Sequence, residues 1–243
     1  MDDLQIYFGS DLIINERISV KQPTLREMIS IGEEEYFGLV YAATAISSDM
    51  KSMLWDAGVD WTEFSDLETF YLMMSGMTRD KTAVLFGDLD FTQFGLYKRD
   101  DGDLLMLSKD GVVIDMYIHK RIHEFLCKVH GIKKQPEFAG NKLTKMVMIE
   151  DDRQRIKKGA AKTYESYMLP LISAMVNSEG FKYNLETVQD MKLYAFMDSV
   201  RRIQTIKSAD HLTDAYYSGN LDVDKFDTSK LDWLCDYNKK NKH

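Results

Sequence analysis

Two cysteines among 243 residues exclude a disulfide framework, and no apolar leader opens the chain, so a reducing, cytoplasmic setting is expected. No run of about 18 apolar residues occurs, and no membrane span is predicted. Positive charge is in the minority. The 31 Lys and Arg against 39 Asp and Glu leave a formal net charge of -8, which disfavours general nucleic-acid binding. Catalytic signatures are missing too: there is no Gly-x-Ser-x-Gly elbow and no dinucleotide fingerprint. Gly140-Asn141-Lys142-Leu143-Thr144 lacks the glycine spacing and the Lys-Ser/Thr pair of a phosphate loop. Asp222-Val223-Asp224-Lys225-Phe226-Asp227 fails as a calcium loop. Phe226 stands where an oxygen ligand is needed, Asp227 where a glycine is, and Trp233 where the closing glutamate is.

What remains is an acidic chain with 44% hydrophobic residues, enough for a sizeable core, and 15 methionines whose thioethers adapt to irregular contacts. Residues 4–21 alternate in short pieces, Leu4, Ile6 and Phe8, then Leu12 to Ile14, then Ile18 and Val20; the Gly9-Ser10-Asp11 break suggests a hairpin. Pro23 ends the extended segment. Thr24 with Glu27 is a capping box that starts a long helix at Leu25. Further helices are predicted over Asp49 to Ala57, stopped by Gly58, and from the Ser65/Glu68 capping box to about Met77. From about Val84 the pattern turns β, ending in a meander of 94–97, 104–107 and 112–114.

From Asp115 the chain reads helical, broken at Gly131 to Asn141 around Pro136, with pieces over 142–158, 163–177, 185–207, 209–217 and 229–237. Leu185, Val188, Phe196, Val200, Ile203 and Ile206 fall on one face of the 185–207 piece. The expected class is α+β, predominantly helical, with a small N-terminal antiparallel β element, a mid-chain meander and a helical C-terminal half. Residues 1–130 form a mixed N-terminal part, 142–237 a helical part that can also be read as continuous with it, and 238–243 a polar tail.

Three clusters invite a functional reading. On the helix after Asp115, His119, His123, Cys127 and His130 line one edge as a ladder of metal-ligand types, the basis for an alternative reading as a metal-binding enzyme. One straight helix offers an ion only neighbours one turn apart, and His123-Glu124-Phe125-Leu126-Cys127 puts Cys127 where the zinc-protease helix needs its second histidine. The expectation is therefore no metal, no cofactor and no catalysis. Arg153, Arg155, Lys157, Lys158 and Lys162 follow Glu150-Asp151-Asp152 without interleaved aromatics, which suits a solvated helix face better than nucleic acid. On the first long helix, Leu25, Met28, Ile29, Gly32, Tyr36, Leu39, Val40 and Ala43 share the docking face. Phe37 and Tyr41 fall opposite, beside Glu34; either a second layer covers them or they form a binding surface rimmed by acid.

The segment from Lys21-Gln22-Pro23-Thr24 to Glu33-Glu34-Glu35-Tyr36-Phe37 resembles proteins of the tail-gene cluster of long-tailed phages of Gram-positive bacteria. So do Asp49-Met50-Lys51 with Leu54-Trp55-Asp56, Gly140-Asn141-Lys142, Leu171 to Asn177 before Gly180-Phe181-Lys182-Tyr183, and Tyr217-Ser218-Gly219-Asn220 before Leu231-Asp232-Trp233. The resemblance spans nearly the whole chain and implies a tail assembly chaperone in the host cytoplasm. Such a protein keeps the tape-measure protein soluble until tube subunits polymerise round it. The implied partners are tape-measure or tube protein, with a homo-oligomer as a further arrangement, and neither nucleic acid nor membrane. A virion component, such as a tail-completion or neck protein, is the rival class. At 243 residues the chain is longer than a conventional chaperone of this kind.

Overall fold

The Thr24 junction is built as its sequence demands. In the computed structural model, which describes residues 2–218 and 226–234, the Thr24 amide donates to Glu27 Oε2 at 2.7 Å and Glu27 returns its amide to Thr24 Oγ1 at 3.2 Å. The chain divides into two compact units, Met1–Tyr194 and Ala195–His243.

The first unit opens with α1 (Asp3–Tyr7), where a strand is expected from the alternation of Leu4, Ile6 and Phe8. Gln5 accepts the Asp2 amide and starts a helical turn, of which Ile6 alone is buried. The hairpin lies further on. β1 (Leu12–Ile13) pairs antiparallel with β2 (Ser19–Val20), and the turn is closed by Asn15 Oδ1, which accepts the Arg17 and Ile18 amides at 2.9 and 2.8 Å, not by the Gly9 break.

The helix expected to run unbroken from Leu25 is two helices, α2 (Leu25–Ile31) and α3 (Glu33–Thr44). Gly32, at φ 94°, ends one and caps the other, a conformation that only glycine adopts cheaply. Glu33, Glu34 and Glu35 then occupy the first turn of α3, where the helix dipole favours negative charge. After α4 (Lys51–Asp56) and α5 (Asp66–Met74), a helix α6 (Arg79–Phe86) replaces the start of the expected β region. It buries Thr82, Leu85 and Phe86 on one face, and its end is held by the Lys21 amide donating to the Leu85 carbonyl at 2.7 Å. β3 (Phe94–Lys98), β4 (Leu104–Ser108) and β5 (Val113–Asp115) form the expected antiparallel meander. Phe70, Phe86 and Phe91 meet edge to face beneath it, with centroids 4.9 to 6.3 Å apart.

α7 (Met116–Val129) is capped by Asp115, which accepts the Ile118 amide at 2.9 Å. α8 (Lys142–Ala160) is capped by Asn141, which accepts the Thr144 amide at 2.8 Å, so the glycine-lysine loop serves as a helix start. α8 packs on α4 around Met50, Leu54, Trp61 and Ile149. α9 (Met168–Val176) begins five residues later than the expected 163, with Pro170 in its first turn, where a missing amide costs nothing. The expected helix over 185–207 begins only with α10 (Leu193–Tyr217). Leu185 is exposed before it and Val188 lies in a 3-10 turn, because Leu193 and Leu25 are held across Pro23 and Met191 by two backbone hydrogen bonds of 3.0 Å. α2, α3 and α5 to α7 thus surround the principal core.

In the second unit α10 continues through the gap expected near residue 208. The Arg202 guanidinium donates to the Trp233 carbonyl at 2.6 Å, and Phe226 meets Tyr216 at 5.8 Å. Thr228–Leu231 is a 3-10 turn where a helix over 229–237 is expected; Cys235, most of the Asp222 cluster and the 238–243 tail lie outside the described residues. The described residues are α+β and predominantly helical, with two small antiparallel sheets.

Candidate functional site

α3 has two distinct sides. Tyr36, Leu39, Val40 and Ala43 are buried toward α5 and α7, and the opposite stripe carries Glu34, Phe37, Gly38 and Tyr41. Glu34, Phe37 and Tyr41 therefore share one face. Glu27 and Ser30 belong to α2, across the Gly32 break.

What meets that stripe was not legible in the sequence. Glu33 accepts hydrogen bonds from the Ser166 hydroxyl and, at 2.8 Å, from the Met168 amide, pinning the irregular 163–167 strap to the start of α3. Partial burial opposes the charge of Glu33, yet these two donors, with the Tyr164 hydroxyl and the Tyr167 amide, together outweigh it and hold the carboxyl below its usual range. The clamp sets Tyr167 edge-on to Phe37, centroids 6.3 Å apart at 81°, and leaves Phe37 half-buried. Tyr41 remains 43% exposed, with Lys134 Nζ 5.3 Å from its ring centroid and Asp49 paired to the same ammonium. Burial and then the Asp49 charge push the Tyr41 hydroxyl pKa up. Glu34 is exposed and lines an open hollow of about 710 Å³ with Gly159, Lys162, Thr163, Tyr164 and Glu165. The stripe thus continues into the strap through Tyr164 and Tyr167, 43% and 56% exposed. Neither tyrosine carries a sequence signal; they reach α3 through contacts distant in sequence, Tyr167 with Phe37 and Tyr164 with Glu33.

The His/Cys ladder of α7 is split among separate neighbours. His119 is buried against Phe70, centroids 4.9 Å apart, with Nε2 unpartnered; burial, aided by His123, pulls its pKa down to about 3. His123 donates from Nε2 to the Thr44 carbonyl at 3.2 Å. Cys127 Sγ lies 3.7 Å from that nitrogen, and burial lifts its thiol to about 11, far from a reactive thiolate. His130 is engaged by Tyr36 and Leu126. Among the described residues no three His, Cys, Asp or Glu side chains are grouped to hold a metal.

The acidic and basic stretch of α8 is laced by ion pairs. Arg153 bridges Glu150 at 2.8 Å and Asp56 at 2.6 Å, while Arg155 pairs with the buried Asp152. Asp152 also accepts the Ser52 amide at 3.0 Å and hydroxyl at 2.7 Å. It supplies from α8 the cap that Met50 cannot give α4.

Residues 160–238, about a third of the chain, match the model of a family described as the YomV second domain, a phage-derived family. The match supports a phage protein in general terms. It begins at the end of α8, so the strap that meets the α3 stripe is its first segment. Neither curated proteins nor solved structures give a match. No described helix is long and apolar enough to cross a membrane.

Proposed function

We propose that the chain is a non-enzymatic phage assembly factor of the tail-assembly-chaperone kind, which binds another tail protein, tape-measure or tube, in the host cytoplasm. The observation that carries this reading is the α3 stripe. Glu34, Phe37 and Tyr41 run into the exposed tyrosines of a strap that opens the phage-family match. Aromatic side chains that are partly uncovered and conformationally limited are good anchors for a protein partner, and exposed acid at their rim keeps the free surface soluble. Catalysis has less support: burial keeps the Cys127 thiol protonated, and three ring nitrogens of His123 and His130 are turned to structural contacts.

The test is recovery of tagged protein from infected cells with mass-spectrometric identification of what co-purifies. Tape-measure or tube protein should be captured by the native chain and lost with Phe37→Ala and Tyr41→Ala together, in a variant that still folds and unfolds cooperatively. Host enzymes alone would overturn the reading. Abundant copies in purified virions would replace it with a tail-completion or neck component.

A further inference from the structure

The hollow beside Glu34 specifies a partner chemistry. Glu33 is spent on the strap, and its two neighbours in charge are not: Glu34 and Glu165 line the hollow as exposed residues, and among the described residues neither is in an ion pair. Other carboxylates near α8 are neutralised, Asp56 by Arg153, Asp60 by Lys145 and Asp49 by Lys134. Lys162 is the one cation among the lining residues, so the hollow has an acidic excess. Its relief is low. A Cβ added at Gly38 or Gly159 would find no atom within 4 Å, which lets a foreign chain come close to both helices. Tyr164 lines the hollow itself, and one turn along α3 from Glu34 the Phe37 ring meets Tyr167.

We propose, resting on the binding function above, that this hollow receives a basic amphipathic segment of the captured protein. Its apolar side chains lie against Phe37, Tyr164 and Tyr167, and its lysine or arginine groups meet Glu34 and Glu165. The matching of charge sets partner choice and association rate, and the aromatic rings supply the desolvated contact. A volume of about 710 Å³ accommodates several side chains.

The test uses the full chain and two labelled synthetic peptides with the same leucine face, one flanked by lysines and one by glutamates, followed by fluorescence anisotropy. The basic peptide should bind at least about 10-fold more tightly than the acidic one, and salt should weaken it. Glu34→Lys with Glu165→Lys should remove that preference. The same charge change placed elsewhere, Glu63→Lys with Asp100→Lys, should leave it in place. Equal binding of both peptides, no binding, or equal loss in both double variants would overturn the proposal, the last by showing only general attraction to an acidic protein. Concentration-dependent dimerisation in sedimentation, abolished by Glu34→Lys, would overturn it in favour of a second copy. The two readings fail separately. If a tail protein is captured equally by the native chain and by the Glu34→Lys, Glu165→Lys variant, the basic segment is wrong and the assembly role stands. If the peptides behave as expected and no tail protein is captured, the surface stands and the assembly role falls.

Discussion

The Tyr36 hydroxyl lies 2.6 Å from His130 Nε2, while His130 Nδ1 lies 2.8 Å from the Leu126 carbonyl. A carbonyl only accepts, so Nδ1 carries the proton, Nε2 is the bare acceptor and Tyr36 is the donor. One neutral tautomer satisfies both ring nitrogens and ties α3 to the end of α7. Burial drives the Tyr36 hydroxyl pKa upward and keeps it a donor at any ordinary pH. Tyr36→Phe strips His130 of this donor inside the fold and should cost about 2 kcal/mol in urea unfolding. Nitrogen-15 spectra should report His130 as the Nδ1-protonated tautomer in the native protein.

Acid should unfold the protein earlier than its carboxylates alone would. The pKa values of His119 and His130 are drawn by burial to about 3 and about 4 from an ordinary 6.5. An unfolded chain binds protons below pH 6.5 that the folded state refuses, so this stability is complete above 6.5 and falls as pH drops toward 4. The loss from pH 7 to pH 5 amounts to about 2 kcal/mol for each histidine. Urea midpoints across that range check it. His119→Leu removes a ring whose Nε2 has no partner, and should change stability at pH 7 by less than about 1 kcal/mol while roughly halving the acid loss. A flat profile between pH 7 and pH 5 would contradict the neutral burial of both rings.

Asp152 joins two helices through one carboxylate. Burial works against its charge, but the Ser52 amide, the Ser52 hydroxyl and Arg155 together outweigh it and leave the pKa below the usual carboxylate value. That stabilisation is present above pH 3.8 and vanishes as pH falls through the lowered folded value. Asp152→Ala leaves the Ser52 amide buried without an acceptor and should cost about 2 kcal/mol, measured by thermal or urea unfolding. Arg155→Ala should cost less than Asp152→Ala, since Arg155 is largely exposed and the two Ser52 bonds survive.

The features legible in the sequence were those decided within a few residues. The Thr24/Glu27 and Ser65/Glu68 boxes depend on local hydrogen bonding, and the meander of 94–97, 104–107 and 112–114 on short-range alternation. The opposition of Phe37 and Tyr41 to the docking face depends only on helical period. Distant contacts decided the rest. Gly32 breaks α2 from α3 although glycine is tolerated within helices, α10 starts at Leu193 because Pro23 accepts its amide, and the strap reaches Phe37 only through Glu33. Ala83-Val84-Leu85-Phe86 reads equally as strand or helix end, and the burial of Thr82 with Leu85 and Phe86 selects helix.

Gly38 separates a packing role of the α3 stripe from a binding role. It lies mid-helix, exposed, at a negative φ, with open space where a Cβ would stand. Gly38→Ala removes backbone entropy from the unfolded chain and touches nothing in the fold, so stability should rise by about 0.5–1 kcal/mol. The added methyl also projects between Phe37 and Tyr41, into ground that a docked chain would occupy. Capture of the tail protein, or of the basic peptide, should weaken by about 3-fold or more even as the unfolding midpoint rises. A stabilised variant with undiminished capture would place the contact elsewhere on the molecule, and a destabilised one would show that another part of the chain already covers the stripe.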